Sequence, residues 1–90
     1  MKKLHDIKIW SVFFDEVQAG RKMCEIRKND RDYEVGDILN LREFDPEGQK
    51  RTGRSILVEV VHILEDTCVG VDRGYCVMSI IPCNVVYKTR

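Results

Sequence analysis

A chain of 90 residues has room for one hydrophobic core and none for a second domain or a linker. Its 15 Lys and Arg balance 15 Asp and Glu, so no global field draws it to nucleic acid or to a membrane surface, and any such attraction must be local. The start, Met1-Lys2-Lys3-Leu4-His5-Asp6, lacks the apolar run of a signal peptide and no later stretch reaches membrane-spanning length, so a cytoplasmic protein is expected.

Alternation of Ile7 and Ile9 with Lys8 predicts a first strand over residues 5–10. Ser11 then reads as an N-cap for a short helix over 11–19, with Phe13, Phe14 and Val17 at helical spacing and Gly20 in the left-handed position past its end. From Lys22 the period becomes two. Lys22, Cys24 and Ile26 alternate with Met23, Glu25 and Arg27, which predicts a second strand with Cys24 and Ile26 inward, ended by Asn29-Asp30-Arg31-Asp32.

Gly36-Asp37 opens a third strand over 38–44, and Asp45-Pro46-Glu47-Gly48 supplies the turn chemistry before a fourth over 54–64, a hairpin with a long tip. Apolar residues on both parities, Ile56, Val58 and Val60 against Leu57, Val61 and Ile63, predict that this strand is central and buried on both faces. Residues 65–73 are polar and turn-like, 74–81 read as a fifth strand stopped by Pro82, and 84–87 as a short terminal strand. The fold class is therefore mainly β with one or two short helices, and closure into a small barrel of five to six strands would hide the edges.

Cys24, Cys68, Cys76 and Cys83 are expected to be reduced thiols used as small apolar fillers. With His5 and His62 they lack the spacing of a zinc knuckle, so neither a metal nor a cofactor is expected.

The chemically dense segment is 20–32. Arg21, Lys22, Arg27, Lys28 and Arg31 stand there against Glu25, Asp30 and Asp32, a local basic excess that the preceding helix C-terminus partly explains. On a regular strand Glu25 and Arg27 share a face and Lys22 lies opposite, so the three converge only if the chain bends near Gly20.

Within this segment Gly20-Arg21-Lys22-Met23-Cys24-Glu25-Ile26-Arg27 resembles the GxKxxExR signature of ASCH domains, which have the PUA-like fold. The likeness extends through Ile7-Lys8-Ile9-Trp10, Val35-Gly36-Asp37-Ile38-Leu39, Thr52-Gly53-Arg54 and Gly74-Tyr75, and over nearly the whole chain it is similar to the bacterial and phage group DUF3850. The resemblance implies a PUA-like β-barrel with a basic cleft at the motif. Lys22, Glu25 and Arg27 would face a phosphate or a base edge there, Lys8 and Arg31 would add charge, and Trp10 and Tyr75, with Tyr33, would add stacking faces.

Three functions follow. The favoured one is a monomeric, non-enzymatic module binding RNA or a nucleotide-like ligand. An alternative is a small amidohydrolase acting on a modified nucleoside such as N4-acetylcytidine, as some ASCH relatives are; Lys22 matches the lysine of those enzymes, but Glu25 stands at the place of their threonine nucleophile. The third is a protein adaptor, using a strand edge or the hairpin tip with Lys50, Arg51 and Arg54.

Overall fold

The computed structural model describes residues 2–83. Strand β1 (Leu4–Trp10) follows the alternation closely: His5, Ile7 and Ile9 are buried, while Leu4, Asp6, Lys8 and Trp10 face outward. Helix α1 (Ser11–Gln18) buries Phe14 and Val17, one narrow stripe of a short helix. Ser11 is not its N-cap. Trp10 holds the cap position without a side-chain bond, and Ser11 is the first helical residue, its Oγ donating to the Phe44 carbonyl at 3.5 Å.

Past the helix the chain bends as required: Gly20 has φ +79, and the Arg21 and Lys22 amides both donate to the Glu16 carbonyl. Strand β2 (Cys24–Lys28) therefore starts two residues later than the alternation suggests. Strands β3 (Ile38–Asp45), β4 (Lys50–Leu64) and β5 (Tyr75–Pro82) complete the chain's described elements. The expected strand over 84–87 lies outside the described residues.

The strands form one sheet in the order β1-β3-β4-β5-β2. β1 runs parallel to β3 and every other pair is antiparallel. The sheet curls into a half-barrel, so closure is partial: among the described residues no backbone ladder joins the edge strands β1 and β2. Side chains span that seam instead. Arg27 Nη2 donates to the Lys8 carbonyl at 2.8 Å and Arg31 Nη1 to the Asp6 carbonyl at 2.7 Å.

The concave face holds the core, where Ile7, Ile9, Leu39, Leu41, Val58, Val60, Cys76, Met78 and Ile80 meet Phe14 and Val17 of α1. Truncating one of these large side chains to alanine costs about 2–5 kcal/mol. β4 is the middle strand of the sheet, but it is not buried on both faces. Val58 and Val60 alone are fully covered, and Val61 and Leu64 remain exposed, because a single sheet with one helix covers only one side.

The hairpin tip is also shorter than expected, since pairing resumes at Asp45 opposite Lys50. The extra length is taken up by a bulge. β4 uses Arg51 to Ser55 where β3 uses Phe44 to Arg42, and Gly53 inside the bulge has φ +94. This turns Thr52 and Arg54 onto the buried Glu43 of β3. Thr52 Oγ1 donates to its carboxylate at 2.5 Å, Arg54 Nε at 2.6 Å and Nη2 at 2.9 Å. These bonds, Arg54 first, hold the Glu43 carboxyl down at about 2.

A second staple ties the loop before β3 to β1. Asp37, fully buried, accepts from the Lys3 and Glu34 amides and from His5 Nε2 at 2.9 Å. Burial pushes its carboxyl up, but the bonds from His5, Glu34 and Lys3 together outweigh that and hold it below the usual range.

Candidate functional site

The bend at Gly20 brings the motif residues together. Lys22 Nζ donates to Glu25 Oε1 and to the Cys24 carbonyl, both at 2.5 Å, and Arg27 Nε donates to Glu25 Oε2 at 2.9 Å, with Arg27 Nη2 in ion-pair contact with the same oxygen at 2.8 Å. Glu25 is 3% exposed, so its buried carboxylate is paired on both oxygens. Two cations of different shape are thus fixed on one anion, their own side chains about a quarter exposed. Arg27 also reaches the β1 carbonyl of Lys8, which sets its plane between the two sheet edges.

The parity of β2 is the reverse of the sequence expectation. Glu25 points inward, and Cys24 and Ile26 point out, Ile26 at 65% exposed. The physical reason is the pair of cations, which satisfy the carboxylate so completely that burying it is tolerated. Cys24 is therefore an exposed thiol and not an apolar filler, as is Cys68; Cys76 and Cys83 are buried, and burial pushes their thiols up.

Between the edges lies a cleft of about 460 Å³. Its charged lining is Lys8 from β1 with Lys22, Glu25 and Arg27, a local excess of cations. Its apolar lining is Ile9, Trp10 and Phe13 on one side and Ile26 on the other, with Cys24 at the rim. Trp10 is 50% exposed, open enough to meet a ligand. Phe13, read from the sequence as part of the helix's core stripe, is instead a wall of the cleft, with Lys22 Nζ 5.7 Å from its ring centre. Nothing in the local pattern separates Phe13 from Phe14; only the angle at which α1 leaves β1 does.

Of the residues expected at the site, Lys8, Trp10, Lys22, Glu25 and Arg27 line the cleft. Arg31 sits farther along the seam, capping the Asp6 carbonyl. Tyr75 is exposed opposite Lys28 in the β2–β5 register and lies outside the cleft lining. Tyr33 is buried against His5, ring centres 4.8 Å apart, and offers no free face for stacking. Burial pushes its hydroxyl up. Among the described residues no cluster of three or more His, Cys, Asp and Glu side chains is placed to hold a metal, and no helix is long and apolar enough to cross a membrane.

The chain is thus a small, mainly β half-barrel whose two open edges flank a cation-lined, apolar-walled cleft. The chain belongs to the family described as a domain of unknown function, DUF3850, matched over residues 4–80. It is also similar to an uncharacterized 12.9 kDa protein in the GpA 3' region of Escherichia phage P2, 48% identical over 44 residues. That match takes in 49% of this chain and 40% of the phage protein, so the likeness spans less than half the length of that relative.

Proposed function

We propose that the seam cleft binds a nucleotide-like ligand, free or within RNA, and that the protein is a non-enzymatic, monomeric, cytoplasmic module of the ASCH type, its half-barrel a version of the PUA-like fold. The observation that carries this reading is the Lys22–Glu25–Arg27 group set in a cleft with Trp10 and Phe13. A base is a flat apolar ring with polar edges, and it suits walls of Trp10, Phe13 and Ile26. A phosphate suits Lys8, Lys22 and Arg27, because Glu25 offsets only one of their charges and holds two of them in place without a loss of side-chain freedom on binding.

The amidohydrolase alternative needs a nucleophile beside Lys22. That position is Glu25, both of whose oxygens are engaged by Lys22 and Arg27, an arrangement suited to holding cations rather than to attacking a carbonyl.

Titration with uridine and cytidine monophosphates, followed residue by residue through amide chemical shifts, tests the proposal. Binding at low salt should move Trp10, Phe13, Lys22, Glu25 and Arg27, and Lys22→Ala with Arg27→Ala should weaken it by about tenfold or more. No binding at low salt, or shifts confined to the hairpin tip, would overturn it.

A further inference from the structure

The convex face of β1, β3 and the near end of β4 carries charge that extends beyond the cleft. Side chains alternate along β1 and β3 so that Ile9, Leu39 and Leu41 face the core while Lys8, Trp10, Arg42 and Phe44 face outward. The register then sets these outward residues in rows: Lys8 beside Arg42 beside Ser55, and Trp10 beside Phe44 beside Arg51. Lys8, which lines the cleft, also lies over the Phe44 ring at 4.6 Å, so the first row begins inside the site and leads out of it.

At its far end is a second concavity, of about 290 Å³, lined by Arg42, Arg51, Ser55 and Gly53 among others. Open space surrounds the Cβ position of Gly53. The carboxylate lining this hollow, Glu43, is already bonded by Arg54 and Thr52. Lys8, Arg42 and Arg51 form no ion pair with any described residue. Three cations without ion partners thus run diagonally from the cleft, Lys8 and Arg42 in the first row and Arg51 in the second, over roughly 12 Å.

A mononucleotide in the cleft would present its phosphate at one place and leave Arg42 and Arg51 idle. A diagonal of separated cations instead matches a repeated anion, and the Trp10 and Phe44 rings, in the same row as Arg51, match one whose units alternate phosphate and base. We infer that the cleft's ligand is a single-stranded oligonucleotide, one base seated in the cleft and its sugar-phosphate backbone leaving over Lys8 toward Arg42 and Arg51. This rests on the cleft reading above and extends it to a polymer with a direction across the sheet.

Anisotropy titrations at about 50 and about 200 mM salt test it, with a uridylate RNA of about ten nucleotides, the matching DNA, uridine monophosphate and an oligoglutamate as probes. The comparison is between the wild-type protein and the Arg42→Gln/Arg51→Gln variant. Both positions are exposed, and a thermal melt checks that the variant folds; Arg51→Glu alone repeats the test if it does not.

The oligomer is expected to bind at least about tenfold more tightly than the mononucleotide. The double variant should lose about tenfold on the oligomer, reduce its salt slope by roughly 1.4 and leave mononucleotide binding unchanged. Either RNA or DNA satisfies the inference, and the tighter of the two names the natural strand. An oligomer no tighter than the mononucleotide, or a variant with an unchanged slope, overturns the inference and leaves the cleft reading standing. Absence of binding by either probe overturns both. Oligoglutamate that displaces the oligomer and weakens equally in the variant overturns it in favour of an acidic peptide.

Discussion

Glu25 and Glu43 are both 3% exposed, and each is gripped by an arginine through two nitrogens. Their surroundings differ. Arg54, the partner of Glu43, ties elements of the fold together although half of its side chain stays exposed: its guanidinium lies 4.6 Å over the Phe14 ring and also bonds Asp15 of α1, joining helix, β3 and the β4 bulge. The partners of Glu25 stand instead at the mouth of a cleft with apolar walls. A buried carboxylate with paired cations is thus a structural rivet where its arginine goes on to contact a helix, and the floor of a cleft where its cations border apolar walls.

The sharpest way to break this contrast is to neutralise each carboxylate in turn. Glu43→Gln should lower Tm by roughly 10 °C while leaving nucleotide binding within twofold, because a buried side chain loses its charge-assisted bonds from Arg54 and Thr52. Glu25→Gln should do the reverse, with a smaller loss of Tm and a binding change of about tenfold or more, as Lys22 and Arg27 lose their fixed positions. Equal losses of stability with unchanged binding in both would erase the distinction.

Acid sharpens the same comparison. The Glu43 carboxyl is held at about 2, below its value in the unfolded chain, so its contribution to stability is fully present above about pH 4.5 and is lost as pH falls toward 2. Asp37, also held low, acts in the same direction. Melts across this window should therefore show a steady loss of Tm, and Glu43→Gln should flatten that loss. A wild-type protein whose Tm is constant from pH 5 to about pH 2.5 would contradict the rivet.

The smallest effects report on the cleft. Trp10 is the sole tryptophan of the chain, half-exposed at the cleft wall, so its emission should change when a nucleotide binds, and Trp10→Ala should cost binding about 3- to 10-fold with Tm nearly unchanged. A thiol reagent should modify Cys24 and Cys68 in the native protein, with nucleotide slowing Cys24 alone, while Cys76 and Cys83 react only on unfolding.

Much of this arrangement was legible in local pattern. The β1 alternation, the short helix, the glycine bend and the convergence of Lys22, Glu25 and Arg27 depend on residues close in sequence. Three features were not. The inward turn of Glu25 runs against the apolar order of Cys24 and Ile26, since hydrophobicity ranks a glutamate outside unless its partners are known. The exposure of Val61 and Leu64 reflects a sheet covered on one side only, which no property of β4 itself reveals. The Glu43–Arg54 rivet needs a bulge in one strand placed against a particular residue of another, a matter of pairing register that a single strand's sequence does not encode.

The cleft's walls come from residues 8–27, a short piece of chain, yet β1 and β2 stand at opposite ends of the strand order with three strands between them. Its width is consequently not a local property. Each neighbouring pair in the sheet adds its own twist and bend, and the gap at the seam is what remains after all of them are summed. A substitution in the heart of the sheet, such as one that shrinks Val58 or Val60, changes the sheet's curvature and so the aperture of a site it never touches. The sheet behaves as the spring of a clip, with Arg27 and Arg31 as its catch.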